Sequence, residues 1–162
     1  MKFMRKLLSI LFVLFIGGAV FAQSADVVTE ILSTDEVTYG QVCYLSAIHQ
    51  NLISEDAGYE EAVKVLNANG QFTQNVSAGD VISKADLAFI YVQLWPDMKA
   101  SLMYKLTKGS ARYAFKQLKN DGIFSDKEDP MESLSGADAL NVLTACMLEY
   151  GTDECMEMYI EE

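Results

Sequence analysis

Sliding the chain along itself by 52 positions without a gap brings Ala62 over Ala114, Leu66 over Leu118, Gly70 over Gly122 and Phe72 over Phe124. The same register continues with Ile82 over Leu134, Ser83 over Ser135, Ala85 over Ala137 and Asp86 over Asp138. A chain with such an internal period folds as copies of one supersecondary unit, each covering its apolar face with its neighbours. Each copy reads as two helices around a loop: Tyr59 to about Asn69 then Ser83 to about Leu94, and Ala111 to about Asp121 then Ser135 to about Tyr150. Asn69-Gly70 and Asp121-Gly122 close the first helices with the residue that best accepts positive φ. In the second helices Leu87, Ile90, Tyr91 and Leu94 recur at i, i+3, i+4, i+7, as do Ala139, Val142, Leu143 and Cys146, so each buries one stripe.

A partial third copy precedes these two. Thr38-Tyr39-Gly40-Gln41 followed by VCYLSAIHQ aligns with the second-helix half of the first full copy, placing Val42, Leu45 and His49 over Leu87, Ile90 and Leu94. Its first helix has only SADVVTEIL to draw on, which lacks the Ala-x-x-x-Leu-x-x-x-Gly pattern, so a second copy of the chain, as a homodimer, is one way to complete it. Between the full copies, WPDMKASLMYKLTKG predicts a connecting helix over about 97–108, with Pro96 at its first turn and Met98, Leu102 and Leu106 four residues apart. The expectation is an all-α fold, a compact bundle of helix-loop-helix repeats. Its parts are a partial repeat over about 34–52, repeats over about 58–95 and 110–150, and an acidic tail, 151–162.

The helix starts carry their own signals. Thr38-x-x-Gln41 is a capping box, in which the hydroxyl accepts from a free backbone N–H and the Gln side chain reaches back to the cap residue. Ser83-x-x-Asp86 and Ser135-x-x-Asp138 are expected to do the same with a shorter acid, which also suits the positive end of the helix dipole.

The first residues, MKFMRKLLSILFVLFIGGAVFAQ, set Lys2, Arg5 and Lys6 before an apolar stretch shorter than the roughly 18 to 20 residues of a membrane-spanning helix. That pattern predicts a signal peptide over 1–22, cut after Ala22, with 23–162 as one domain and no stable membrane span after cleavage. No Cys follows the cut, which disfavours a lipid anchor. Removing the three basic residues leaves 9 Lys+Arg against 23 Asp+Glu, so the formal charge moves from -11 to -14. Such a surface repels nucleic acid and anionic headgroups. The tail, TDECMEMYIEE, is acidic yet carries Met156, Met158, Tyr159 and Ile160, and is expected to dock on the domain.

Export puts Cys43, Cys146 and Cys155 where oxidation is permitted, and an odd count leaves a thiol over. Cys146–Cys155, closing a short loop worth up to roughly 2 to 3 kcal/mol, competes with Cys43–Cys146. His49, the single histidine, sits in the repeat register at the place of Leu94 and Cys146, so a thiol- or metal-dependent activity would centre on Cys43, His49 and Cys146. The other expectation for His49 is a half-buried ring at a helix C-terminus, where a proton is favoured. The loop FSDKEDPMES, with Asp126, Glu128 and Asp129, lacks the ligand order of an EF-hand and reads as a solvated turn. No catalytic set, metal site or cofactor motif is expected.

The aliphatic residue before each Ser, the Ala before each Asp and the fixed spacing back to glycine exceed what capping needs. In these features the chain resembles S-layer homology domains, whose repeat runs approximately Trp-Ala-x-x-Ala-Ile-x-x-Leu-x-x-x-Gly-Ile, a loop, then Ile-Thr-Arg-Ala-Glu and an apolar helix. Here Ala111, Ala114, Phe115, Leu118, Gly122 and Ile123, then Leu134, Ser135, Gly136, Ala137 and Asp138, take those places. Tyr59, Ala62, Val63, Leu66, Gly70, Ile82, Ser83, Lys84, Ala85 and Asp86 do so one repeat earlier. The resemblance spans about Val37 to Gly151. It implies a pseudo-threefold bundle whose grooves hold acidic cell-wall glycopolymer through the basic residue of the motif. That residue is Tyr39, Lys84 and Gly136 in the three copies, so ligand contact falls on Lys84, beside Asp86 and Asp138, and the Trp place holds Gly58 and Ser110. The implied function is an exported, non-enzymatic cell-envelope module, periplasmic or extracellular, that binds or scaffolds an envelope protein or a cell-wall glycopolymer.

Overall fold

The computed structural model describes residues 25–72, 75–107 and 109–151; the signal-peptide expectation and the tail from residue 152 lie outside them. The fold is all-α. Helix α1 covers residues 25–32, followed by α2 (Tyr39–His49), α3 (Tyr59–Ala68), α4 (Lys84–Val92), α5 (Leu102–Leu106), α6 (Ala111–Asn120) and α7 (Gly136–Tyr150). No helix among the described residues is long and apolar enough to cross a membrane.

Positions 52 residues apart occupy matching settings. Ala62 and Ala114, like Leu66 and Leu118, are fully buried, and Phe72 and Phe124 are each 4% exposed. The turns that end α3 and α6 use the same bonds: Gln71 N–H donates to Leu66 O at 3.0 Å, and Ile123 N–H to Leu118 O at 2.9 Å. Gly70 and Gly122 sit at φ 72° and 80° in those turns, where a Cβ would strain the backbone. Truncating Leu66 or Leu118 to Ala would open a cavity costing about 2 to 5 kcal/mol.

The second helices are joined at their starts into a ring. A helix leaves its first N–H groups without intrahelical partners, and burial forces them to find others. In α2, Tyr39 N–H donates to Asp80 O and Gly40 N–H to Ala78 O, both at 2.9 Å. In α4, Lys84 N–H donates to Glu132 O and Ala85 N–H to Pro130 O, again at 2.9 Å. In α7, Gly136 N–H donates to Thr34 O at 2.9 Å. The loop before α4 thus starts α2, the loop before α7 starts α4, and the loop before α2 starts α7. The residues just ahead of the caps meet inside the ring: Ile82 N–H donates to Val37 O at 3.1 Å and Val37 N–H to Leu134 O at 2.9 Å. All three side chains are buried.

Two glycines make this closeness possible. A Cβ on Gly40 would stand 2.8 Å from Ala78 O, and one on Gly136 would stand 1.7 Å from Ile31 O. Helix α1, whose sequence lacks the first-helix pattern, presses its C-terminal turn on the start of α7, and Ile31 is fully buried. The half-repeat is therefore accompanied by a helix of the same chain, α1, at the start of α7.

The connecting helix differs from the expectation over 97–108. It is a single turn, Leu102–Leu106, begun by Ser101, whose hydroxyl accepts from Tyr104 N–H at 3.3 Å. Pro96 lies outside it. Leu102 and Leu106 are 79% and 73% exposed instead of forming a buried stripe, while Met98 and Tyr104 pack partly on the core.

Candidate functional site

The positions that the S-layer resemblance marks for ligand contact are the first helical residues of α2, α4 and α7. Their caps place them. Thr38 makes a full capping box: Gln41 N–H donates to its hydroxyl at 3.4 Å and its own N–H donates to Gln41 Oε1 at 3.0 Å. Ser83 and Ser135 accept from Asp86 and Asp138 N–H at 3.2 and 3.1 Å. Here the acid does not reach back to the cap backbone. The serine hydroxyl donates to Asp86 Oδ2, and likewise to Asp138 Oδ2, at 2.7 Å, because an aspartate is one methylene shorter than a glutamine.

Each marked position is then engaged by the chain's own atoms. Tyr39 packs on Phe72 with ring centroids 6.3 Å apart, and its hydroxyl hydrogen-bonds Asp86. Burial, reinforced by that carboxylate, pushes the phenol well above its ordinary range. The Lys84 ammonium lies 2.9 Å from Glu132 and 3.4 Å from Glu128, with a side chain only 13% exposed. Burial pulls its pKa down, but the hydrogen bonds to Glu132 and Glu128 outweigh this and the net shift is upward. Gly136 lies under Ile31. Asp138 is exposed with Ser135 as its partner, and Asp86 is shared between Ser83 and Tyr39. Lys84 and Asp86 thus stand at the start of α4 and Asp138 at the start of α7, each already bonded to side chains of the chain itself.

The acidic loop has internal work. Glu128 pairs with Lys84 and accepts from Ser125 N–H at 2.8 Å, and Asp129 accepts from Met131 N–H at 2.9 Å.

Cys43, His49 and Cys146 do not converge. Cys43 and Cys146 are fully buried free thiols, each pushed up to about 12 by burial, with Asp121 adding to the shift at Cys146. At that pKa the nucleophilic thiolate is scarcely populated at neutral pH. Cys43 and Cys146 are not joined to each other, against one of the two expected pairings; Cys155, the partner in the other, lies outside the described residues. Tyr91 is fully buried as well, and no described protein group is bonded to its hydroxyl. His49 is instead at the surface, its ring 5.3 Å from that of Trp95. The expected gain from the helix C-terminus is overridden: partial burial against the indole lowers its pKa. Among the described residues no three His, Cys, Asp or Glu side chains are grouped as a metal site requires.

Sequence reasoning missed a linkage between repeats at this end of the molecule. Trp95 packs against Tyr150 with tilted rings whose centroids lie 5.9 Å apart, and the Tyr150 hydroxyl donates to Asp121. Gln117 Nε2 donates to the same carboxylate at 2.8 Å, while its Oε1 accepts from Ser101 N–H at 2.8 Å. Gln117 is 4% exposed on an otherwise apolar face, and that misplaced polarity was the available signal. No protein-family model matches this chain, and no curated protein matches it.

Proposed function

We propose that this chain is an exported, non-enzymatic cell-envelope protein of S-layer-homology-like build, a binding or scaffolding module whose partner is a protein in preference to an anionic glycopolymer. What supports the reading is the state of the three helix starts. Where the resembled family places a basic side chain for its polymer, this chain carries a tyrosine bonded to Asp86, a lysine held by two glutamates, and a glycine under a neighbouring helix. An anionic ligand would have to displace Glu128 and Glu132 from Lys84 and then approach a surface of formal charge -14. The leader-like residues 1–22 support export.

Two measurements test this. N-terminal sequencing of the protein recovered from the envelope fraction should begin at Gln23; recovery only in the cytosol with residues 1–22 intact contradicts export. Mixed with protein-free cell-wall sacculi, the domain should stay in the supernatant. Co-sedimentation that is lost in Lys84→Ala would restore the glycopolymer as the ligand.

A further inference from the structure

The positive charge of the chain is segregated. Asp97 and Asp121 bracket a stretch without a single acidic residue that holds Lys99, Lys105, Lys108, Arg112, Lys116 and Lys119, six of the nine basic residues beyond residue 22. This stretch forms α5 and α6, packed on each other. Lys99, Lys105, Arg112 and Lys116 are exposed, and none of them is in an ion pair with a described residue. The same corner exposes the largest apolar side chains of the connecting segment: Leu102 at 79%, Leu106 at 73% and Met103 at 47%. Two leucines one turn apart with lysines around them form an amphipathic face turned outward, and such a face marks a contact.

The chain itself contains a segment of matching chemistry. Residues 152–162 carry Asp153, Glu154, Glu157, Glu161 and Glu162 interleaved with Met156, Met158, Tyr159 and Ile160. Their point of departure is fixed close to α5. Tyr150, the last residue of α7, is bonded to Asp121, Asp121 to Gln117, and Gln117 to the backbone of Ser101, the cap of α5. Three hydrogen bonds thus connect the root of the tail to the start of the exposed helix. A segment of that length spans about 35 Å when extended, several times the length of a single helical turn.

We propose that residues 152–162 lie across α5 and α6 of the same molecule. Their apolar side chains cover Leu102, Met103 and Leu106, and their carboxylates face Lys99, Lys105, Arg112 and Lys116. An anionic lipid surface has matching headgroup chemistry, but the remainder of the molecule, strongly net negative, repels it. The tail is tethered, so its effective concentration at the face is on the order of millimolar, which no free partner need reach. The α5–α6 face is therefore a peptide-docking surface, and the tail is its resident occupant.

Zero-length coupling of carboxylates to lysine amines, followed by peptide mapping of the purified chain with residues 152–162 intact, tests this. The expected product is a monomer with tail carboxylates joined to Lys99, Lys105, Lys108 or Lys116, in a yield that falls as salt is raised. Leu102→Ser with Leu106→Ser, at positions too exposed to affect folding, should cut that yield several-fold with unchanged helicity. The proposal is overturned if tail residues couple to Lys64 or Lys84 instead, if the only tail products are covalent dimers, if no tail product forms, or if the leucine substitutions leave the yield unaltered. Binding of the same chain to anionic vesicles, with the tail present, would equally show the face to be unoccupied.

Discussion

Gly136→Ala should be markedly destabilising, although alanine is the better helix former. The added Cβ would stand 1.7 Å from the carbonyl oxygen of Ile31 and 2.7 Å from its carbonyl carbon, both backbone atoms with no rotamer to yield. To restore van der Waals contact, the end of α1 must retreat by more than an ångström, uncovering Ile31 and stretching the Gly136 to Thr34 bond of 2.9 Å. Overpacking of this kind costs about 1 to 3 kcal/mol, and weakening the hydrogen bond adds about 0.5 to 1.5 kcal/mol. The backbone entropy saved by alanine returns about 0.5 to 1 kcal/mol. The balance is a loss of about 2 kcal/mol, or a fall in Tm of roughly 6 to 8 °C for a domain of this size. Urea and thermal unfolding followed by circular dichroism would measure it. Gly79→Ala serves as the control: nothing lies within 4 Å of its Cβ position and its φ is unremarkable, so it should be neutral or slightly stabilising. A Gly136→Ala protein as stable as the parent would refute the packing of α1 on the start of α7, and with it the closure of the ring.

The chain has one tryptophan and one histidine, and they touch, so Trp95 fluorescence should report the titration of His49 with a midpoint below 6.5 that disappears in His49→Gln. Because the folded pKa is lowered, the unfolded chain binds the proton more readily; the His49 contribution to stability is complete above 6.5 and is lost as pH falls through the folded value. A midpoint at or above 6.5 would contradict the burial of the ring against the indole. Alkylation by iodoacetamide at pH 8, mapped by peptide, should leave Cys43 and Cys146 unmodified in the native protein and modify both on unfolding. Rapid native labelling at either position would reopen a thiol-dependent activity.

What the sequence revealed was what local chemistry decides. Thr38, Ser83 and Ser135 start helices, and Gly70 and Gly122 end them, because a hydroxyl near free N–H groups and a residue tolerant of positive φ act within one turn of the chain. Helix α5 was misjudged for the opposite reason. The four-residue spacing of Met98, Leu102 and Leu106 specifies that a helix has an apolar side, but not whether anything in the fold covers it. Residues 25–32 carry too weak a pattern to mark α1 as the neighbour of α7, so the need for glycine at position 136 was visible only as a departure from the family motif. The site suffered the same limit. Lys84 could be singled out as the surviving cation, but Glu132 reaches it from 48 residues away, on the loop that also holds Glu128, and that approach is set by the fold. His49 and Trp95 likewise meet through tertiary packing, which outweighs the helix-end effect that the sequence alone suggested.

Native-state amide hydrogen exchange bears most directly on the ring of helix starts. If each second helix is begun by the loop of its neighbour, the N–H groups of Val37, Tyr39, Ile82, Lys84, Ala85 and Gly136 should be protected and should exchange only with cooperative opening of the domain, despite lying at loop–helix junctions. Exchange of Val37 and Gly136 at the rate of an open loop, with Ile82, Lys84 and Ala85 still protected, would show the ring to be broken between α7 and the loop before α2, and the account of closed helix starts would fail.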